Sequence, residues 1–451
     1  MRGPTDGVRL ATLLRGEAAR TWLAADVFVE ETAEVRARLA DSTLVEATAS
    51  ISGGTCVRRI DAESVAYRCR AEIGDAVARE LAQELRLGGA APTRRRIRPR
   101  PLDGAAAGEV DALVRIVETV DGAARDTDDR VRQVVVEAER RRQRVTVATL
   151  EGSVAEDERA LLYLTISVVA GSGRRVATGV LTPATSGALE VLDADAVGRE
   201  AALLATVALA ARPAPARHLP VVVGPGRGAV LVHEACCHPV EGDEVLRGSI
   251  YAGRTGRSIA SPLVTIVDDP LVTGGAGSIA VDDDGLDASP TTVVEEGILR
   301  SFLTDRVSAL RLGFASTGNG RRLGYTHTSL PRMTNTCVRG GGATPAEIIA
   351  DTPLGIYAQH VGGGEVVEST GDFVFRVTNG FMIENGRVGD PLEETTVRGN
   401  GAVVLREIDA VGNDVEVGAA KCAKLGQVLP VGVVAPTLRI QSLLVGGTER
   451  R

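Results

Sequence analysis

The hexapeptide His233-Glu234-Ala235-Cys236-Cys237-His238, followed by Pro239, limits the local backbone more than any other stretch of the chain. Metal-binding histidines on one helical face stand four apart. Here they stand five apart, and at about 100° per residue a regular helix would splay them by about 140°. A proline drives the residue before it out of the α region. The segment is therefore expected to end a helix, or to carry a local bulge, at His238. If both rings turn to one side they can hold a borderline-soft ion such as zinc, and Glu234 can take a proton from a bound water. By spacing alone, a buried helix end with two hydrogen-bonded histidines is an equally good reading.

The rest of the chain narrows the class. Its 451 residues, 44% hydrophobic and 24% charged, suffice for two or three globular domains. Aromatic residues are only 3%, so the core must come from Ala, Val, Leu and Ile. A net charge of -8 speaks against general nucleic-acid binding. The basic run Arg94, Arg95, Arg96, Arg98 and Arg100 has no interleaved aromatic to stack a base and reads as a solvated loop. Met1 to Arg20 holds no apolar stretch of signal-peptide length, and Ala201 to Ala211 is too short to span a bilayer. A cytoplasmic protein with no membrane partner is expected. Its six cysteines are then expected as thiols or ligands, not as disulfides.

Periodicity predicts strands near 45–51 and 65–69, a helix over 73–87, and two helices over 107–143 closed by Arg140, Arg141 and Arg142. Strands follow near 144–150, 161–170 and 175–181, then an apolar helix over 194–212 and a Pro-rich linker. From 220 onward, short β-branched runs alternate with glycine turns, the mark of an antiparallel sheet. Thr344 is positioned to cap a helix that begins at Pro345. The expected fold is α+β: an N-terminal mixed α/β region followed by a mostly antiparallel β C-terminal domain carrying the HExxxH helix. Boundaries are expected at 1–105, 106–217 and 218–451.

Three further features are weighed. Gly224-Pro225-Gly226-Arg227-Gly228 lacks dinucleotide-loop spacing and reads as a strand-to-helix turn. Asp282-Asp283-Asp284-Gly285 lacks the alternate oxygens of a calcium loop and reads as a hairpin turn. Cys236 and Cys237 read as small apolar filler, whereas Cys422, between Lys421 and Lys424, sits where a thiolate is favoured.

With these residues set out, the chain resembles the TldD/PmbA family, in its TldD branch. The resemblance rests on HEACCHPVEGD at 233–243, TGNGRR at 317–322, PRMTNT at 331–336 and CAKLGQ at 422–427, and it covers most of 220–448. It implies a zinc metallopeptidase in which His233, His238 and Cys422 bind the metal and Glu234 is the general base. It also implies unfolded or extended peptides as substrates, in a cavity enclosed by two subunits. The partner would be a PmbA/TldE-type paralogue or a second copy. His327 and Tyr325, just after the glycine-rich TGNGRR loop, are candidate donors to a developing oxyanion. Arg332 and Asn335 are expected to order this loop or to bind substrate backbone. The family usually has glycine before the second histidine, and Cys237 stands there instead, where it would narrow the pocket or add a ligand. The alternatives are a specialised amide hydrolase tailoring a natural product or modified peptide, a non-catalytic binding subunit, and a redox protein using Cys236 and Cys237.

Overall fold

The computed structural model describes residues 23–87 and 103–446. The segment Met1–Arg20 and the Arg94–Arg100 run fall outside the described residues.

The N-terminal part is one antiparallel sheet. Its strands are β1 (Ala24–Ala40), β2 (Thr43–Ile60), β3 (Val65–Arg70), β4 (Val131–Thr149), β5 (Val154–Ser172), β6 (Arg175–Leu181) and β7 (Ala184–Ser186). They lie in the order β3-β2-β1-β4-β5-β6, with β7 added to β5. Because β1 pairs with both β2 and β4, strands from either side of position 105 share this sheet. Helix α1 (Asp75–Glu84) packs Val77, Ala78 and Leu81 on Val27 and Val57. Helices α2 (Asp103–Thr127) and α3 (Ala194–Ala208) cover the rest of one face, with Leu113, Val117 and Ala205 against Val136, Leu162 and Leu164. Gly198 lets the two helices touch, since a Cβ there would come 2.5 Å from the Val120 carbonyl. Each buried Val or Leu is worth about 1.5–3 kcal/mol relative to exposure, so the face holds without large aromatics.

Residues 131–149 correct the expected second helix. Glu137, Glu139 and the arginine run suit a helix by propensity, yet Val134, Val136, Ala138 and Arg140 are buried at every second position, the strand period. Pairing to β1 and β5 on both edges fixes that period. A second correction concerns the thiols. Cys56 and Cys69 face each other across β2 and β3 and are joined as a disulfide.

The C-terminal part holds β8 (Arg217–Val223), β9 (Ile266–Asp268), β10 (Thr291–Glu295), β11 (Ile298–Leu299), β12 (Gly320–Arg321), β13 (Leu330–Pro331) and β14 (Asn335–Val338). It continues with β15 (Leu354–Val367), β16 (Asp372–Glu384), β17 (Arg387–Leu392), β18 (Thr395–Asn400), β19 (Ile408–Val411), β20 (Glu416–Lys424), β21 (Gln427–Ala435) and β22 (Leu438–Gly446). One sheet runs β15-β8-β22-β18-β16-β17 and the other β11-β10-β9-β14-β21-β20. Only β8–β15 and β14–β21 pair in parallel among the named strands. The α+β fold with a mostly antiparallel C-terminal domain is therefore as the sequence predicts. Thr344 caps the helix Pro345–Ala350 through a reciprocal bond with Glu347. No helix among the described residues is long and apolar enough to cross a membrane.

Candidate metal centre

Strand β8 runs into the turn Gly224–Gly228 and then directly into the hexapeptide. The backbone of His233–Cys237 is a π-turn, closed by a short 3-10 turn His238–Val240. In a π-turn the hydrogen bond runs from i to i+5. Residues five apart then stack much as residues four apart do in an α-helix. That widened turn resolves the spacing problem, and Pro239 ends it. Gly401 makes room for it, since a Cβ there would sit 2.4 Å from the Ala235 carbonyl oxygen.

The two rings meet edge to face at 5.4 Å between centroids. Both are buried. His233 Nδ1 bonds the Thr336 hydroxyl at 2.8 Å, and His238 Nδ1 bonds Glu241 Oε2 at 2.9 Å. Each outer nitrogen is thus engaged, and both Nε2 atoms turn inward. Among the described residues His233 Nε2 has no hydrogen-bond partner although it is buried. Cys422, on β20, brings its Sγ to 3.1 Å from His238 Nε2. One donor atom from each of His233, His238 and Cys422 lies within 4.8 Å of the others. Zinc bonds of about 2.0–2.3 Å at tetrahedral angles set donors roughly 3.3–3.7 Å apart, so the trio fits such an ion with little movement. Glu234 is half-buried beside it, with Oε2 at 3.3 Å from His238 Nε2.

The charges are linked in series. Burial pushes the Cys422 thiol up, but the charge of His238 and the two imidazoles facing it hold it well below its ordinary range. Burial would likewise lower His238, yet the Cys422 thiolate, then Glu241 and Glu234, hold it well above. Burial raises Glu241 too, but Lys424 and then His238 pull it down to about 2. Lys424 Nζ reaches Glu241 at 2.8 Å and Asp243 at 2.5 Å. Burial, the largest influence on Glu234, raises it. A divalent cation at the trio would displace the proton shared by thiolate and imidazole.

Glu241 and Thr336 are supporting residues that sequence reasoning missed, although each lies within a quoted motif, while Lys424, named beside the thiol, pairs with Glu241. A carboxylate three residues after a histidine falls on the same side of a helical turn, a signal that could have found Glu241. Arg332, expected to order the TGNGRR loop or bind substrate backbone, bonds Asn319 of that loop through its own backbone N–H and carbonyl. It is fully buried and donates to the carbonyls of Cys422 at 2.6 Å and Gln427 at 3.2 Å. Asn335 is fully buried, with its amide bonded to Asp269, Ser278 and Gly277. Neither His327 nor Tyr325 hydrogen-bonds to the trio. Tyr325 is anchored on the N-terminal sheet through Glu30, its ring against Phe28 and Val145, while His327 Nδ1 meets Thr326. Cys237 turns into the apolar core and is not among the three donors.

The family comparison is decisive here. Residues 216–447 match the model for the PmbA/TldA metallopeptidase C-terminal domain, and 108–209 match its central domain. A metalloprotease TldD homolog of Haemophilus influenzae is 37% identical over 347 residues, 74% of this chain and 72% of that one. The chain belongs to the PmbA/TldD family. The family's domain description makes it a metallopeptidase family. A zinc metalloprotease TldD homolog of Saccharolobus solfataricus is 33% identical over 229 residues, 51% of each chain. In fold, the chain matches TldE from Thermococcus kodakarensis with a TM-score of 0.78 at 18% identity, over 97% of this chain and 100% of that one.

Proposed function

We propose that this PmbA/TldD member is a zinc-bearing subunit that hydrolyses peptide bonds in unfolded or extended peptides. The observation that carries the reading is the convergence of His233, His238 and Cys422 beside Glu234, with a buried His233 Nε2 that lacks any partner among the described residues. His233 Nε2, His238 Nε2 and Cys422 Sγ would hold the ion. Zinc with three protein ligands supplies a Lewis acid and an acidified water. Glu234 would accept the water's proton at its carboxylate and deliver it to the leaving amine. A pKa raised by burial suits that second duty. Glu241 and Thr336 fix the ring tautomers that aim both Nε2 atoms inward.

An extended peptide added to a sheet edge would bind with little dependence on sequence. The TldE-like fold supports a PmbA/TldE-type paralogue, or a second copy, as partner, and a cytoplasmic dimer is part of the same proposal. The specialised amide hydrolase drew on Cys237 in the pocket. With that side chain in the core, the broader peptidase is the reading retained.

The test is metal analysis joined to cleavage. The purified protein should carry about one zinc per chain, and a chelator should abolish cleavage of a peptide library. Cys422→Ser should lose zinc, whereas Glu234→Gln should keep it and lose cleavage. Normal cleavage by Glu234→Gln would end the assignment.

A further inference from the structure

A second concentration of charge lies close to the metal centre, where β12 meets β4 and β5. A cavity of about 60 Å³ is lined there by Arg141, Arg159, Arg321, Arg322, Asp283 and Ser186. Leu429 also lines it, and Leu429 stands opposite Cys422 in the β20–β21 hairpin. Paired residues in such a hairpin have Cβ atoms about 4.5–5.5 Å apart, so the cavity is near neighbour to the thiolate.

Four guanidiniums and one carboxylate line this wall. Arg141 is paired with Glu30 at 3.2 Å, and Arg159 with Asp157 at 2.8 Å and Asp283 at 2.9 Å. Arg321 and Arg322 differ. Arg321 is buried, its bonds end on the carbonyl oxygens of Met333 at 2.6 Å and Pro430 at 2.9 Å, and no ion pair joins it to a carboxylate among the described residues. Arg322 lies over the Phe28 ring at 4.1 Å, donates to the Asp283 carbonyl at 2.8 Å, and shares Asp26 and Asp284, each at 3.9 Å, with Arg58. Its buried Nε has no acceptor among the described residues. Burial, then repulsion from Arg159 and Arg332, draws Arg321 down to about 10. A buried cation without a counter-charge, as Arg321 is among the described residues, is costly, so is an unmet N–H such as the Arg322 Nε, and a forked guanidinium is shaped to take an oxyanion.

We propose that this cavity is a subsite for a small oxyanion, a carboxylate or phosphate group, held by Arg321 and Arg322. The space admits a few waters, which suits one anionic group and no larger body. The group could belong to a peptide, as its terminal or side-chain carboxylate, or be a free inorganic anion. The first source rests on the peptidase reading; the second does not.

Calorimetry of the full-length protein with inorganic phosphate tests the site without turnover. Saturable binding near one phosphate per chain is expected, at ionic strength held constant with chloride. Ser186→Asp sets a carboxylate at the cavity wall and should weaken phosphate roughly ten- to a hundredfold, the scale of one charge-assisted hydrogen bond. Arg321→Gln should do the same, and Ser186→Asp keeps the test intact if Arg321→Gln fails to fold. No saturable binding in the wild type, or binding that Ser186→Asp leaves unchanged, overturns the proposal. Competition then separates the sources. A free-acid peptide that displaces phosphate where its C-terminal amide does not identifies a peptide carboxylate. Phosphate binding that neither peptide displaces identifies a free anion, and both results uphold the site.

Discussion

Two regions of the interior bury charge on opposite plans. At the seam between the N-terminal sheet and the C-terminal domain, Arg58 is fully buried and bonds Asp26 at 2.5 Å, Asp284 at 2.6 Å and Ser329 at 2.6 Å. Ser329 in turn donates to Asp284 at 2.5 Å. Burial would raise Asp284, but Arg58 and Arg322 hold it far below the usual carboxylate range. Every guanidinium nitrogen of Arg58 meets a protein acceptor. At the metal centre the series Lys424, Glu241, His238, Cys422 also alternates in sign, but it ends on donor atoms aimed at a shared point. A closed network joins architecture, and an open convergence of donors awaits a ligand. Partial satisfaction separates the two more reliably than charge count.

Breaking each plan should produce different losses. The largest effect is expected from Glu234→Gln, a drop in cleavage of roughly 10²–10⁴-fold with zinc retained, read by peptide turnover and metal analysis. Next comes Arg58→Met. It should leave zinc stoichiometry intact but cost about 3–5 kcal/mol in urea unfolding, because Asp26 and Asp284 stay buried without their partner. Loss of zinc with unchanged stability would reverse the distinction drawn between the two regions. Glu241→Gln tests the support of the open site. Zinc affinity in a chelator competition should fall roughly 10–100-fold while stability changes far less than in Arg58→Met.

The smallest effect is in pH. Burial raises Asp268 to about 6 despite bonds from Thr334 and Asn319. Its folded value exceeds its unfolded one, so its contribution is full below the ordinary carboxylate value of about 4 and is lost as pH rises through 6. Urea unfolding of the wild type and Asp268→Asn between pH 4 and 7 should differ in slope by under one bound proton, with the wild type losing stability faster as pH rises.

Legibility followed the range of the forces involved. The cap at Thr344, the turn at Gly224–Gly228 and the antiparallel character of the C-terminal half depend on neighbours within a few residues, and the chain displays them openly. Strand β4 did not read correctly, because its arginines and glutamates suit a helix until two long neighbours pair with it. The Asp282-Asp283-Asp284 turn was read correctly as a turn, bridged by Val281 and Asp287, but its three buried aspartates were not foreseen. Arg58 and Arg159, the counter-ions of Asp284 and Asp283, lie far away in sequence.

The sequence by itself determined the ligand-bearing hexapeptide, the proline that ends it and the types of donor available. Tertiary structure alone decided that the turn widens by a residue against Gly401, how near the Cys422 sulfur named by the resemblance comes to His238, and that Arg321 has no carboxylate partner among the described residues. Donor chemistry belongs to single side chains, whereas coordination and charge balance depend on which atoms are near one another. That proximity is fixed only when the sheets pack.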